Sequence, residues 1–218
     1  MRRLRPFGPR ALARRSTPRG FTLIELLVSI SVIVILVGIS IPAISGIRSR
    51  SQRKATEAFL QRLKLAIETY ANDFGDFPPS DFDRAGLRKS NGENDGGEVL
   101  LRCLTTSAKS GPYVEFTEQE LGNLDQDVLA SKANPTRSTI QSQDLLEPHD
   151  VWSNAILYLH NRDYDKGGTI QVNGQPQKVS AHKHEKTQQY AGLTSFQLFS
   201  AGPDGEVGTD DDVRVWGE

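Results

Sequence analysis

The feature that most constrains how this 218-residue chain can fold is an apolar run near its start, residues 26–47, which carries no charged side chain. As an α-helix these 22 residues would extend about 33 Å, enough to cross a lipid bilayer. A secretory signal peptide has a shorter apolar core, about 7–15 residues, followed by a cleavage site of small residues. The run is too long for such a signal, so residues 21–47 are predicted to form a transmembrane helix.

Charge is divided unevenly around this run. The net charge is −1, but seven of the 26 basic residues and none of the 27 acidic residues lie among the first twenty residues. The remainder therefore carries a net charge of −8, which argues against nucleic acid as a partner. Arginines that precede an apolar helix stay in the cytoplasm by the positive-inside rule. The chain is accordingly predicted to cross a membrane once, with its remainder on the extracytoplasmic side.

One carboxylate, that of Glu25, stands at the start of the apolar segment. A charged side chain near the centre of a membrane helix costs about 2.5–3.5 kcal/mol, and less near the end of the helix. Glu25 therefore needs a partner and is a candidate functional residue. The stretch that contains it, GFTLIELLV at residues 20–28, resembles the processing site of type IV pilins and of type II secretion pseudopilins.

This resemblance implies that residues 1–20 are a basic leader that a prepilin peptidase removes. Cleavage after Gly20 would leave Phe21 as a methylated N-terminus, with a positive charge at neutral pH. In a helical homopolymer, Glu25 of one subunit could then neutralise the Phe21 amine of its neighbour. The family also implies minor pseudopilins, the secretion platform, its ATPase complex and membrane lipid as partners.

A single long helix is predicted from Phe21 to Asn72. Pro42 lies inside it and is expected to kink or locally melt it, because proline removes one backbone hydrogen bond. Beyond the apolar run, apolar residues recur at three- and four-residue spacing, which predicts a half-helix that packs on a globular head. These residues are Ala55, Phe59, Leu63, Ala66, Tyr70 and Phe74.

Gly75 and Pro78 are expected to end the helix, because glycine can adopt the left-handed conformation and proline prevents a restart. The predicted domains after the leader are therefore a helical segment at 21–76 and a head at 77–218.

The head is predicted to contain a small antiparallel β-sheet, which together with the helix gives an α+β, pilin-like fold. A short helix is expected at 97–107, and strands at 155–160, within 166–179 and within 194–202. The segment between residues 79 and 150 is longer than is usual for pseudopilins, and its role is left open.

The C-terminal stretch SAGPDGEVGTDDDVRVW, residues 200–216, places acidic side chains among three glycines. Oxygen ligands on a tight loop suit Ca²⁺, although a solvated acidic turn has the same composition. Major pseudopilins carry a calcium loop at this place. The resemblance implies Asp204, Asp212, Thr209 and the carbonyl of Ala201 as the calcium ligands, and leaves Asp210 and Asp211 open.

No nucleophile motif, phosphate loop or cysteine cluster is present in the sequence, so an enzyme is not expected. The single cysteine, Cys103, excludes an internal disulfide and is predicted to be a core residue. His182 and His184 are predicted to be surface residues rather than metal ligands. The favoured function is a structural subunit, the major pseudopilin of a type II secretion system. The alternatives are a type IV pilus subunit, a non-polymerising anchored calcium-binding module, or an anchored hydrolase.

Overall fold

The computed structural model describes residues 20–88, 90–130 and 136–217, except for the side chains of residues 39–47. Apart from Gly20, the predicted leader at 1–20 lies outside the described residues. Pro42 and the end of the predicted transmembrane segment lie among side chains that are not described, so the predicted kink stays a prediction. Within the part of the chain that the structure describes, no helix is both long and apolar enough to cross a membrane.

Two α-helices and two short 3-10 helices form in the described residues. Helix α1 spans Leu23–Phe74, and helix α2 spans Asp95–Leu104, while the 3-10 helices cover Glu118–Glu120 and Asn161–Asp163. The prediction of one long helix is confirmed, with each end displaced by two residues. As predicted, Gly75 ends it in the left-handed conformation, with a φ of 81°. By its contacts the chain divides into two compact units, Met1–Gly46 and Ile47–Glu218.

The strands of the described residues all pair antiparallel. They are β1 (Leu121–Gly122), β2 (Glu147–Pro148), β3 (Leu157–His160), β4 (Gly168–Val172), β5 (Gln175–Val179), β6 (Phe196–Ser200) and β7 (Val213–Trp216). A three-stranded sheet has the order β3-β6-β7, and two-stranded sheets are formed by β1 with β2 and by β4 with β5. The predicted α+β class and the predicted strands are confirmed.

The central three-stranded sheet is buried on both faces. One face packs on the amphipathic half of α1, and this core is formed by Phe59, Leu60, Leu63, Ile67, Tyr158, Phe196, Leu198, Val213 and Val215, among others. The opposite face, with Leu157 and Leu159, packs on Ile170 and Val172 of the β4–β5 hairpin. The predicted packing of the half-helix on a sheet is therefore confirmed. Two positions differ. Ala55 is exposed and Thr56 is buried instead, and Phe74 at the end of the helix is 39% exposed.

Helix α2 begins two residues earlier than the predicted 97–107 and ends three residues earlier. The reason is its close approach to β3. A Cβ atom on Gly96 would lie 2.1 Å from the carbonyl oxygen of Tyr158, and one on Gly97 would lie 2.9 Å from that of Ile156. The two glycines are therefore part of the packed helix rather than a turn before it. Cys103 is buried on this helix, as predicted.

Strand β7 was not predicted, because its residues belong to the stretch that was predicted as an acidic calcium loop. Val213 and Val215 alternate with Arg214 and Trp216, which is the period of a half-buried strand. β7 pairs with β6 through Leu198 and Val215, so the C-terminal loop is anchored at both ends by neighbouring strands of the central sheet.

A buried carboxylate joins the turn after α1 to the end of β3. Asp163 accepts hydrogen bonds from the Ser80 hydroxyl (2.8 Å), from Arg84 (3.0 and 3.2 Å) and from Lys166 (3.2 Å). Burial alone would raise the pKa of Asp163, but these hydrogen bonds and the charges of Arg84 and Lys166 lower it. Its stabilising effect is thus present at neutral pH and is lost as the pH falls below about 4.

We expect Asp163→Ala to lower the free energy of unfolding by about 2 kcal/mol at pH 7, because several charge-assisted hydrogen bonds are lost at once. Urea unfolding of the full chain in detergent measures this. Asp83→Ala is the matched control. Asp83 lies in the same turn, two residues after Asp81, and its side chain is exposed. Equal destabilisation by both variants, or none by either, would contradict this role of Asp163.

Candidate processing and assembly site

The start of helix α1 is held by a reciprocal pair of hydrogen bonds between Thr22 and Glu25. The Glu25 carboxylate accepts from the backbone N–H (2.8 Å) and from the hydroxyl (2.7 Å) of Thr22. In return, the Thr22 hydroxyl oxygen accepts from the backbone N–H of Glu25 at 3.3 Å. This is a capping box, in which Thr22 is the N-cap and Glu25 the third helical residue. The carboxylate therefore has a partner within its own chain.

Glu25 was predicted from the sequence as a functional residue, whereas the capping role of Thr22 was not predicted. The signal was available, because a threonine followed three residues later by glutamate, before an apolar run, is the sequence pattern of a capping box. The box also explains why α1 begins at Leu23 rather than at Phe21.

The predicted cleavage point lies just outside this helix. Gly20 and Phe21 precede α1 and are both exposed, Phe21 by 78%. A Cβ atom added to Gly20 would meet no other atom within 4 Å. The peptide bond between the two residues is thus in an accessible, non-helical position, which a peptidase requires.

The apolar side chains in the first turns of α1 are exposed. Every large hydrophobic residue described between Phe21 and Val37 is at least half exposed, among them Ile24, Ile33 and Val34. The two serines of this stretch, Ser29 and Ser31, satisfy their hydroxyls within the helix by donating to backbone carbonyls four residues earlier. This part of the helix therefore offers lipid or another apolar surface a continuous contact face.

The acidic C-terminal loop connects β6 to β7. Ala201 is buried directly after β6, and Asp204 is exposed. Asp211 organises the loop, because its carboxylate accepts from the Asp204 backbone N–H (3.1 Å) and from the hydroxyl of Thr209. The tight path of the loop requires Gly202 at a φ of 70°, where an added Cβ would lie 2.5 Å from the Asp211 carbonyl oxygen.

Asp212, one of the predicted calcium ligands, is fully buried at the end of this loop. Its Oδ2 accepts from the Gly208 backbone N–H at 3.0 Å and from the Arg214 guanidinium. Its Oδ1 is buried and has no hydrogen-bond partner among the described residues. An oxygen in that position is costly unless something binds it, and an oxygen-binding cation would do so. One buried oxygen of the predicted ligand set is therefore available to calcium.

The histidine pair packs around an aromatic side chain. The His182 ring stacks on Trp216 with centroids 5.8 Å apart, and the His184 ring meets Trp216 edge-on at 5.9 Å. Burial, together with the charge of Arg214, lowers the pKa of His182, so its imidazole is neutral at pH 7. Both histidines are therefore accounted for by packing at the end of β7.

The N-terminal part of the chain matches a known sequence motif. Residues 15–41 match the prokaryotic N-terminal methylation motif, which covers the predicted cleavage point, the capping box and the start of the apolar run. The chain thus carries the N-terminal motif of the prepilin-like proteins, as residues 20–28 indicated.

Two relatives then match over almost the whole chain. One is the type II secretion system core protein G of Escherichia coli, 22% identical over 199 residues, which are 91% of this chain and 91% of the relative. The other is the protein of the same name from Klebsiella michiganensis, 23% identical over 203 residues, 93% of this chain and 96% of the relative. No solved structure matches the chain. The predicted resemblance to the major pseudopilins is confirmed by these matches.

Proposed function

We propose that this protein is the major pseudopilin of a type II secretion system, a structural subunit that polymerises rather than an enzyme. The observation that carries the proposal is the N-terminal constellation of Gly20, Phe21, Thr22 and Glu25, followed by an exposed apolar helix, in a chain that resembles core protein G over nine-tenths of its length. A soluble binding module has no use for a cleavage motif and a carboxylate at the head of an apolar helix.

The proposed life cycle follows from these residues. The basic leader stays in the cytoplasm, the apolar start of α1 anchors the subunit in the inner membrane, and the head folds on the extracytoplasmic side. Removal of the leader by a prepilin peptidase frees an amine at Phe21. Subunits then assemble through their apolar helices, since side chains exposed in the single chain become buried in a polymer.

Charge pairing guides the assembly in this proposal. Within one subunit, Glu25 is held by Thr22, and on assembly it also meets the Phe21 amine of a neighbour. Minor pseudopilins, the secretion platform and its ATPase complex are the other proposed partners, and membrane lipid surrounds the free subunit. The growing helical polymer would push folded proteins outward.

The function is tested by deleting the gene in the source organism and restoring it from a plasmid. We expect type II substrates to accumulate in the periplasm of the deletion strain, and their secretion to return with the wild-type chain. Overproduction should yield filaments visible by electron microscopy. Normal secretion in the deletion strain would contradict the proposal, whereas normal secretion together with loss of surface pili would favour a type IV pilus subunit.

We also propose that the C-terminal loop binds calcium through Asp204, Asp212, Thr209 and the carbonyl of Ala201. The support is the buried, unpartnered Oδ1 of Asp212 and the closed path of the loop between two strands of the central sheet. Bound at this place, the ion would fix the loop against the sheet and would take no part in any reaction.

We expect calcium to raise the melting temperature of the full chain in detergent, because a ligand that binds only the folded state stabilises it, by about 2.7 kcal/mol at a hundredfold excess over Kd. Asp204→Ala and Asp212→Ala should each lose the part of this gain that the loop contributes. Glu206→Ala is the matched control, because among the described residues Glu206 is engaged only through its backbone, whose N–H donates to Asp204 and whose carbonyl accepts from Thr209. Melting curves with chelator, calcium and magnesium measure the effect, and an undiminished calcium gain in both variants would contradict the loop site.

A further inference from the structure

A second group of acidic side chains lies far along the chain from the C-terminal loop, within the long segment whose role the sequence left open. One ligand oxygen from each of Glu98, Asp125 and Asp127 lies within 4.8 Å of the other two. Glu98 comes from helix α2, and the two aspartates come from the loop after β1. Among the described residues, these are the three His, Cys, Asp or Glu side chains that lie close enough together to hold one metal ion.

Glu98 is the decisive member, because it is completely buried and both of its carboxylate oxygens lack a hydrogen-bond partner. Buried carboxylates in folded proteins are normally paired, and an unpaired one is strongly destabilising. Asp125 and Asp127 each leave one buried oxygen, Oδ1, without a partner as well. Four buried oxygens from three side chains are thus unsatisfied at one place.

The loop that carries the aspartates is shaped to present them together. Asn123 closes it, since its side chain accepts from the Asp127 backbone N–H at 3.0 Å and donates to the Asp127 carbonyl at 2.7 Å. Between the aspartates, Gln126 takes a positive φ of 62°, an uncommon conformation for a residue other than glycine. Asp125 is steadied from outside by Asn91, which donates to its Oδ2 at 2.9 Å.

No lysine or arginine among the described residues makes a hydrogen bond or an ion pair with these three carboxylates. The nearest on the same helix, Arg102, donates through Nη2 to the carbonyls of Ser142 and Asp144, each at 3.3 Å. Burial and the charges of Asp127 and Asp125 raise the pKa of Glu98 to about 10, and burial with the charges of Asp125 and Asp95 raises that of Asp127 to about 7. Burial and mutual repulsion thus destabilise the charged form of these carboxylates, and a bound cation would offset both effects.

We propose that Glu98, Asp125 and Asp127 form a second divalent cation site, selective for calcium, which ties helix α2 to the loop after β1. Three carboxylates, each with at least one buried oxygen that lacks a partner, are a ligand set suited to a divalent cation. The inference does not depend on the function proposed above.

The donor set favours calcium over magnesium. Magnesium keeps several of its waters and is usually held by one or two carboxylates, whereas calcium takes more of its oxygen ligands from the protein. Three carboxylates from two elements therefore suit calcium. Calcium takes 6–8 oxygens, and a further one is at hand in Glu147, which is buried and has an unpartnered Oε2. Asp125 and Asp127 are only half buried, so water and the ion can enter beside them.

The test is calcium binding to the full chain in detergent, measured by equilibrium dialysis after chelator treatment. The double variant Asp125→Asn/Asp127→Asn should bind one calcium ion fewer per chain than the wild type, and Asp127→Asn alone should weaken this site about tenfold or more. Asp144→Asn, an exposed aspartate of the same segment, is the control and should bind as the wild type does. Unchanged calcium binding by the double variant would overturn the proposal, as would equal affinity of the site for magnesium.

The loop site and this site are separated by combining variants. Asp212→Ala should remove a different calcium ion, so adding it to the double variant removes both. Amide hydrogen exchange of the wild type tests the site even if a variant does not fold. Calcium should slow amide hydrogen exchange in α2 and in residues 123–128 of the wild type, and exchange unchanged there would equally overturn the proposal.

Discussion

Replacing Glu25 by glutamine is expected to abolish filament formation while leaving the subunit inserted in the membrane. Glutamine can still accept the hydrogen bonds of the capping box, so helix α1 keeps its start. The negative charge is lost, however, and the Phe21 amine of the neighbouring subunit would be buried without a partner. Breaking a buried ion pair in this way costs about 3–5 kcal/mol, which lowers an association constant more than a hundredfold.

Thr22→Ala is the matched control, because it removes the capping hydroxyl and keeps the carboxylate. Loss of an N-cap costs about 1 kcal/mol, so this variant should still form filaments, at reduced yield. Filament yield by sedimentation and electron microscopy, with membrane insertion checked by fractionation, distinguishes the two roles. If Glu25→Gln assembled normally and Thr22→Ala did not, the role of Glu25 would be helix capping alone.

Replacing Gly20 by valine is expected to leave the leader attached and to prevent both processing and assembly. An added side chain that does not fit a peptidase subsite costs about 1–3 kcal/mol or more, on the order of 10–200-fold in rate. The fold itself is undisturbed, because a Cβ atom at this position meets nothing within 4 Å. The uncleaved chain would accumulate in the membrane with no free amine at Phe21.

The control for this variant is Gly8→Val, which makes the same chemical change within the leader, away from the scissile bond. It should be processed and assembled as the wild type is. Electrophoresis resolves the precursor from the mature chain in both variants. Normal processing of Gly20→Val would remove the cleavage point from the account, because no other residue of the motif could take the place of Gly20.

Local patterns in the sequence were enough to predict the elements of this fold whose periodicity is strong. The spacing of Phe59, Leu63 and Ala66 predicted the buried face of α1, and Gly75 predicted its end. Strand β7 escaped because Val213 and Val215 follow directly on a run of three aspartates, and the acidic composition outweighed a short alternation. The start of α2 was misplaced by two residues because glycine has a low helix propensity, whereas here Gly96 and Gly97 allow the helix to approach β3.

Candidate sites whose residues are close in the chain could be predicted from the sequence, and those that depend on folding could not. Gly20, Phe21 and Glu25 are close in the chain, so a motif suffices to find them. Glu98 is 27 positions from Asp125 and 29 from Asp127, and only folding brings the three ligand oxygens within 4.8 Å of one another. The orphaned Oδ1 of Asp212 likewise depends on burial, which the sequence of an acidic turn does not predict.

The mass of the mature protein, isolated from membranes of its own host, tests the central claim most directly. A prepilin-like subunit should begin at Phe21 and carry one methyl group on its N-terminal amine, with residues 1–20 absent. Intact-mass and fragment spectra of the purified chain locate both changes. A chain that still begins at Met1, or one cut beyond residue 47 by an ordinary signal peptidase, would contradict the account.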